Sequence, residues 1–144
     1  MHYRRGKDGE ADMEERKQNN LVQEERAKEK SVLCEQKGQI LIIMPLMELD
    51  HHCAVQVRTE ADERIDEGRI QHLLFDFSKI TFMDSSGIGV IMGRYKKVLF
   101  QGGRIACCGV GKEVDRILTL SGLYRIMPSY PDRASAERAL KEER

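Results

Sequence analysis

The sequence contains no tryptophan, few aromatic residues and no long apolar run. Aromatic residues make up 6% of the 144 residues, and prolines number three. The longest apolar stretch, from Ile40 to Leu49, is interrupted by Pro45 and Glu48, whereas a membrane-spanning helix needs about 20 consecutive apolar residues. The first residues lead into charged sequence and not into the apolar core of a secretory signal. We therefore expect a cytoplasmic protein without a membrane partner.

The sequence also lacks a net charge. Its 24 Lys and Arg residues balance its 24 Asp and Glu residues. A protein that binds nucleic acid or an anionic membrane through general electrostatic attraction needs an excess of positive charge. Direct binding to nucleic acid is therefore not expected.

Motifs for metal, nucleotide and catalysis are missing as well. The four cysteines contain no Cys-x-x-Cys pair, and with His51 and His52 they match no established zinc spacing. We expect them to be reduced thiols of a cytosolic protein: Cys34, Cys53, Cys107 and Cys108. The Gly-x-Ser-x-Gly motif of hydrolases is absent. The segment 109–112, Gly-Val-Gly-Lys, is only a fragment of a phosphate-binding loop. We predict no enzyme, no metal and no cofactor.

The chain changes character near residue 31. Residues 1–30 are dominated by charged and amide side chains and cannot easily offset the entropy of ordering. This composition predicts a charged extension that is flexible or partly helical. Its alternative roles are a frayed helix without function and an arm that binds a partner. Residues 31–144 alternate short apolar runs with amphipathic segments, which predicts a single α/β domain.

The patterning predicts four or five strands in one mixed sheet, with helices packed mainly on one side. Strands are expected at 32–35, 39–46, 72–77 and 104–110, with a short edge strand at 124–127. Helices are expected at 52–68, 85–100, 112–120 and 132–140. The strand at 72–77 should lie in the middle of the sheet because it is apolar throughout. The expected core includes Ile42, Ile65, Leu74, Phe75, Ile91, Ile105 and Ile117.

The segment 80–90 places small hydroxyl and glycine residues where a strand passes into a helix. A helix N-terminus carries partial positive charge and unpaired N–H donors, so a serine there can take a phosphoryl group whose charge is partly accommodated locally. Ser85 occupies such a position. The alternative is that Ser85 or Ser86 is only the N-cap of the helix, a common role for serine.

Three segments carry a resemblance to a known family. The first is 83–90, Met-Asp-Ser-Ser-Gly-Ile-Gly-Val, followed by Gly-Arg-Tyr-Lys at 93–96. The others are 48–52, Glu-Leu-Asp-His-His, and 121–126, Ser-Gly-Leu-Tyr-Arg-Ile. In this order they resemble the signature of the anti-sigma-factor antagonists of the STAS family, especially the sporulation type, from about residue 32 to about residue 140.

The resemblance implies a phosphorylation switch. In the family the first serine of Asp-Ser-Ser-Gly is phosphorylated, which corresponds to Ser85. The implied kinase is the anti-sigma factor itself, which the unmodified domain binds, so that a sigma factor is released. A serine phosphatase reverses the modification. The implied partner-binding residues are Asp50, Asp84, Ser86, Gly87, Ile88 and Arg94.

Some of these residues have alternative interpretations. Asp50 is equally suited to N-cap a helix, Ile88 fits a core stripe, and Arg94 fits a solvated helix face. The chain also departs from the family at Met47, where a glycine is usual, and a left-handed backbone there would cost a residue other than glycine about 1–2 kcal/mol. Pro45 is unexpected inside a strand because it donates no ladder hydrogen bond. The rival function is a scaffold or nucleotide-sensing module without a kinase cycle.

Overall fold

A computed structural model describes residues 16–17 and 30–142. The chain divides into residues 1–30 and residues 31–144, and the elements below belong to the second unit. The prediction of a flexible or partly helical extension over residues 1–30 lies outside the described residues, apart from residues 16–17 and 30.

The domain is built on a five-stranded mixed sheet. The strands are β1 (Val32–Lys37), β2 (Ile40–Pro45), β3 (His72–Asp76), β4 (Ile105–Cys108) and β5 (Ser129–Tyr130), in the spatial order β1-β2-β3-β4-β5. β1 and β2 form an antiparallel hairpin, and β2 to β5 run parallel. Gly38 has a φ of 59° in the hairpin turn, a conformation that glycine adopts without steric cost. The prediction of a central strand at 72–77 is confirmed.

Helices cover both faces of the sheet, with most of them on one face. They are α1 (His51–Asp66), α2 (Ser85–Leu99), α3 (Lys112–Ser121) and α4 (Arg133–Lys141). The parallel strands follow one another in sequence order, so right-handed crossovers place α1, α2 and α3 on the same face. α4 follows the last strand and packs on the opposite face. No helix in the described part of the chain is long and apolar enough to cross a membrane.

Successive apolar side chains of a strand point to opposite faces of the sheet and join two different core clusters. Leu41 and Ile43 face α1 to α3, whereas Ile40 and Ile42 belong to the cluster under α4, as the two-residue period of a strand requires. Six of the predicted core residues are buried: Ile42, Ile65, Leu74, Phe75, Ile91 and Ile105. Ile117 is only partly buried and packs against the edge of the core.

The predicted edge strand at 124–127 is wrong. Leu123–Arg125 form a 3-10 turn, and the edge strand is the two-residue β5. Gly122 ends α3 with a φ of 77°, and the Met127 N–H then bonds the Leu123 carbonyl at 2.9 Å. The backbone of the predicted segment is therefore committed to a local turn before the sheet is reached, and Pro128 and Pro131 flank the short strand that remains.

The backbone accommodates both Pro45, which was unexpected in a strand, and Met47, which departs from the family pattern. Pro45 is the last residue of β2 and pairs with Val32, while the pairing of β2 with β3 ends at Ile43. Its missing N–H therefore costs no bond to β3. Among the described residues other than glycine, only Arg69 has a positive φ, so Met47 does not adopt the left-handed backbone that would favour glycine.

Candidate functional site

The loops that follow β2 and β3 run side by side at the carboxyl edge of the sheet. Leu49 and Met83 form an isolated parallel bridge. The Leu49 N–H donates to the Phe82 carbonyl at 3.2 Å, and the Asp84 N–H donates to the Leu49 carbonyl at 3.3 Å. Because α1 and α2 begin directly after this bridge, their N-termini lie next to each other. The segments 48–52 and 83–90 are thereby brought together.

Asp84 is the N-cap of α2. Its Oδ1 accepts a hydrogen bond from the Ser86 N–H at 2.8 Å, and its backbone is extended, with φ −104° and ψ −167°. Ser85 is the first residue of the helix and is exposed. The alternative that Ser85 or Ser86 is the cap is therefore wrong, because Asp84 already performs that role. Among the described residues no group hydrogen-bonds the Ser85 hydroxyl.

Asp50 caps the neighbouring helix. Its Oδ1 accepts from the N–H groups of His52 at 3.0 Å and Cys53 at 3.1 Å, so the predicted capping role is confirmed. The bridge between Leu49 and Met83 places this cap beside the start of α2. Two capping carboxylates therefore flank the region of Ser85.

A second contact ties the loops together. The Glu48 carboxylate accepts hydrogen bonds from the backbone N–H and the hydroxyl of Thr81, both at 3.2 Å. These residues are 33 positions apart, and no local motif connects them, so sequence reasoning had no signal for the pair. Its effect is to hold the loop before α2 against the loop before α1.

The domain matches a known family and known folds. Residues 31–136 match the STAS domain. This chain belongs to the STAS domain family. An anti-sigma F factor antagonist from Paenibacillus polymyxa is 43% identical over 97 residues, which cover 67% of this chain and 83% of that relative.

Two solved structures of SpoIIAA are also similar to this STAS domain. The anti-sigma factor antagonist SpoIIAA in its unphosphorylated form has a TM-score of 0.68 at 25% identity, with coverage of 78% of this chain and 99% of that chain. The Bacillus cell fate determinant SpoIIAA in the phosphorylated form has a TM-score of 0.62 at 26% identity, with coverage of 75% and 98%.

The remaining site residues of the STAS domain differ in exposure. Ser86 and Ile88 are half-buried, and Ile88 packs against the core. Arg94 is only 7% exposed, and its Nε lies 3.0 Å from Oδ1 of Asp62 on α1. The alternative of a solvated face for Arg94 is therefore wrong, because the two helices pack closely at that turn.

Phe82 is an exposed aromatic residue that sequence reasoning missed. Its side chain is 48% exposed, although Ile80 and Met83 on either side are buried. An aromatic residue in an apolar segment is normally assigned to the core, and only the turn of the loop after β3 directs this one outward. Exposed aromatic side chains beside a binding site commonly anchor a partner.

The two buried cysteines of β4 have raised thiol pKa values. Burial raises the pKa of the Cys107 thiol to about 11 and that of the Cys108 thiol to about 12. Both thiols in β4 are therefore protonated at neutral pH, and a thiol acts as nucleophile or metal ligand only as the thiolate.

Gly87 packs closely against the bridge between Leu49 and Met83. A Cβ at this position would stand 3.0 Å from Leu49 Cγ and 3.0 Å from Met83 Cβ, and both neighbours are buried. Gly87 is itself buried, so it contributes close packing of α2 against the bridge that joins the two loops.

Gly87→Ala is expected to lower the free energy of unfolding by about 1–3 kcal/mol, because the added methyl group overpacks a buried contact. Urea unfolding measures the change. Gly93→Ala is the matched control on the same helix, since a Cβ there meets nothing within 4 Å and alanine favours a helix over glycine by about 0.8–1.0 kcal/mol. Equal stability of the two variants would contradict the assignment of Gly87 to packing.

Proposed function

We propose that this chain is a cytoplasmic anti-sigma factor antagonist of the sporulation type, switched by phosphorylation of Ser85. Unmodified, it binds an anti-sigma factor that has serine kinase activity and so releases a sigma factor. Phosphorylation of Ser85 by that kinase ends the binding, and a serine phosphatase restores it. The protein itself catalyses no reaction. The carrying observation is the exposed Ser85 at the start of α2, beside the capping carboxylates of Asp84 and Asp50.

The proposed switch follows from charge. A phosphoryl group adds a charge of about −1.5 to −2 at neutral pH. The N-terminal end of the α2 dipole accommodates part of that charge, so the domain stays folded when modified. Asp84 and Asp50 concentrate further negative charge on the surface that the partner must desolvate. A penalty of about 1.4 kcal/mol already lowers affinity tenfold.

Phe82 supplies the attractive part of the proposed docking surface. It adjoins the bridge before Ser85, because the Leu49 N–H bonds its carbonyl, and it is nearly half exposed. In protein interfaces, truncation of a central aromatic anchor often costs about 2 kcal/mol or more of binding free energy. The proposed interface thus combines an apolar anchor with a serine whose modification introduces repulsion.

The proposal is tested by phosphorylation. The purified protein is incubated with the candidate anti-sigma kinase and ATP and then analysed by intact-mass and peptide mass spectrometry. We expect one added phosphoryl group on Ser85, none on Ser85→Ala, and one on Ser86→Ala as the matched control. Binding without any phosphorylation would reject the switch and favour the scaffold function.

A further inference from the structure

A groove between α1 and α2 opens beside the proposed docking surface. Its volume is about 400 Å³. Small apolar residues, Ala54 and Val90 among them, form part of its lining. The polar side chains on its walls are those of His51, Arg58, Ser86 and Arg94. Because His51 and Ser86 belong to the first turns of the two helices, the groove begins immediately next to Ser85.

Arg94 reaches this groove with unused hydrogen-bonding capacity. The guanidinium is buried, and its Nε lies 3.0 Å from Oδ1 of Asp62 in an ion pair. The geometry of this ion pair does not make a hydrogen bond. The Nη1 of Arg94 also has no hydrogen-bond partner among the described residues. A buried donor without an acceptor is costly and uncommon in native proteins. Arg94 is also among the residues that line the groove, so an oxygen acceptor bound there would lie beside a guanidinium whose donors are not all used.

Among the side chains that line the groove, the charged ones are the two arginines Arg58 and Arg94, and no carboxylate belongs to the described lining. Arg58 is exposed at its wall, and no described carboxylate lies within ion-pairing distance of it. Asp62, the carboxylate beside Arg94, is shared with Lys97 at 3.3 Å. Burial lowers the pKa of the Arg94 guanidinium, Asp62 raises it, and the charge of Arg58 lowers it further. The charges of the two arginines therefore repel each other, and both residues line the same groove.

We propose that this groove receives an aspartate or glutamate side chain of the anti-sigma factor when the unphosphorylated protein binds it. The inference rests on the proposed function. A carboxylate supplies planar oxygen acceptors that match guanidinium donors, and it would relieve the repulsion between Arg58 and Arg94. A partner that covers Ser85 also covers the adjoining groove, so the carboxylate would be held within the same interface.

The test uses Arg58, which is exposed and can be changed without opening the core. Binding of the unphosphorylated full chain to the anti-sigma factor is measured by calorimetry for the wild type, Arg58→Glu and Arg116→Glu. Arg116 is exposed on α3, outside the groove, and its substitution makes the same change in net charge. We expect Arg58→Glu to lose about tenfold or more in affinity and Arg116→Glu to stay within about threefold. A single Asp→Lys or Glu→Lys change in the partner is expected to restore binding to Arg58→Glu.

The outcomes separate this inference from the proposed function. If the wild type does not bind the anti-sigma factor, the proposed function and this inference fail together. If the wild type binds and Arg58→Glu binds equally well, only the groove inference fails. Loss of binding in Arg58→Glu that no acidic-to-lysine change in the partner restores would also reject a partner carboxylate as the occupant.

Discussion

Ser85→Asp is expected to lower the affinity for the anti-sigma factor by about tenfold or more, whereas Ser85→Ala is expected to retain wild-type affinity. Aspartate places one negative charge where the phosphoryl group would place nearly two. That charge stands beside the capping carboxylate of Asp84, and docking must desolvate both. The phosphorylated protein should therefore bind more weakly still than Ser85→Asp. Isothermal titration calorimetry with the anti-sigma factor measures the affinities of the wild type, the two variants and the phosphorylated protein.

Thr119→Asp is the matched control for this prediction. Thr119 is an exposed hydroxyl residue on α3, and its substitution makes the same change in net charge at a distance from the site in sequence and in a different helix. We expect it to bind like the wild type. Equal affinities for Ser85→Ala and Ser85→Asp would show that charge at the start of α2 does not control docking.

Arg133→Met is expected to lower the free energy of unfolding by about 3 kcal/mol, because it leaves a buried carboxylate without its cation. Asp76 ends β3 and is 5% exposed. The Arg133 Nε lies 2.6 Å from its Oδ2, and the Ser78 N–H donates to its Oδ1 at 3.0 Å. Arg138→Met, an exposed arginine on the same helix, is the control and should cost far less. Urea unfolding at neutral pH measures both variants.

The pH dependence of this effect has a definite sign. Burial alone raises the pKa of Asp76, but the hydrogen bond from Arg133, aided by Ser78, outweighs it and holds the pKa below its ordinary value of 3.8. In the wild type this group contributes stability that is present above that ordinary pKa and is lost as the pH falls below it. Without Arg133, burial is opposed only by the hydrogen bonds from Ser78, so we expect the pKa of Asp76 to be higher than in the wild type and protonation to relieve the penalty at higher pH.

The stability difference between the wild type and Arg133→Met should therefore shrink as the pH falls from about 7 to about 4. The double variant Asp76→Leu/Arg133→Met should recover much of the loss at neutral pH, because replacement of both partners leaves no buried charge. A difference that stays constant with pH would mean that Asp76 is not the source of the loss.

Most of the fold was predictable because its elements have strong local patterns. The continuous apolar run of β2 and the helical spacing of apolar residues in α2 both act within a few residues. The helix N-cap at Asp50 is also local, and its prediction is confirmed. The prediction of the edge strand was wrong because a short segment carries little pattern. The left-handed Gly122 leads instead into a 3-10 turn at 123–125.

The motif around Ser85 determined the family and the candidate switch, because a strand-to-helix junction with small hydroxyl residues is readable in a contiguous segment. The arrangement of the site was decided only by tertiary structure. The bridge from Leu49 to Met83, the bonds from Thr81 to Glu48 and the groove between α1 and α2 join residues that are far apart in the chain. The local sequence determines where a helix or strand begins. Which side chains from different elements lie next to each other is determined by how the helices pack on one face of the sheet. The burial of Arg94 against Asp62 of the neighbouring helix follows from that packing.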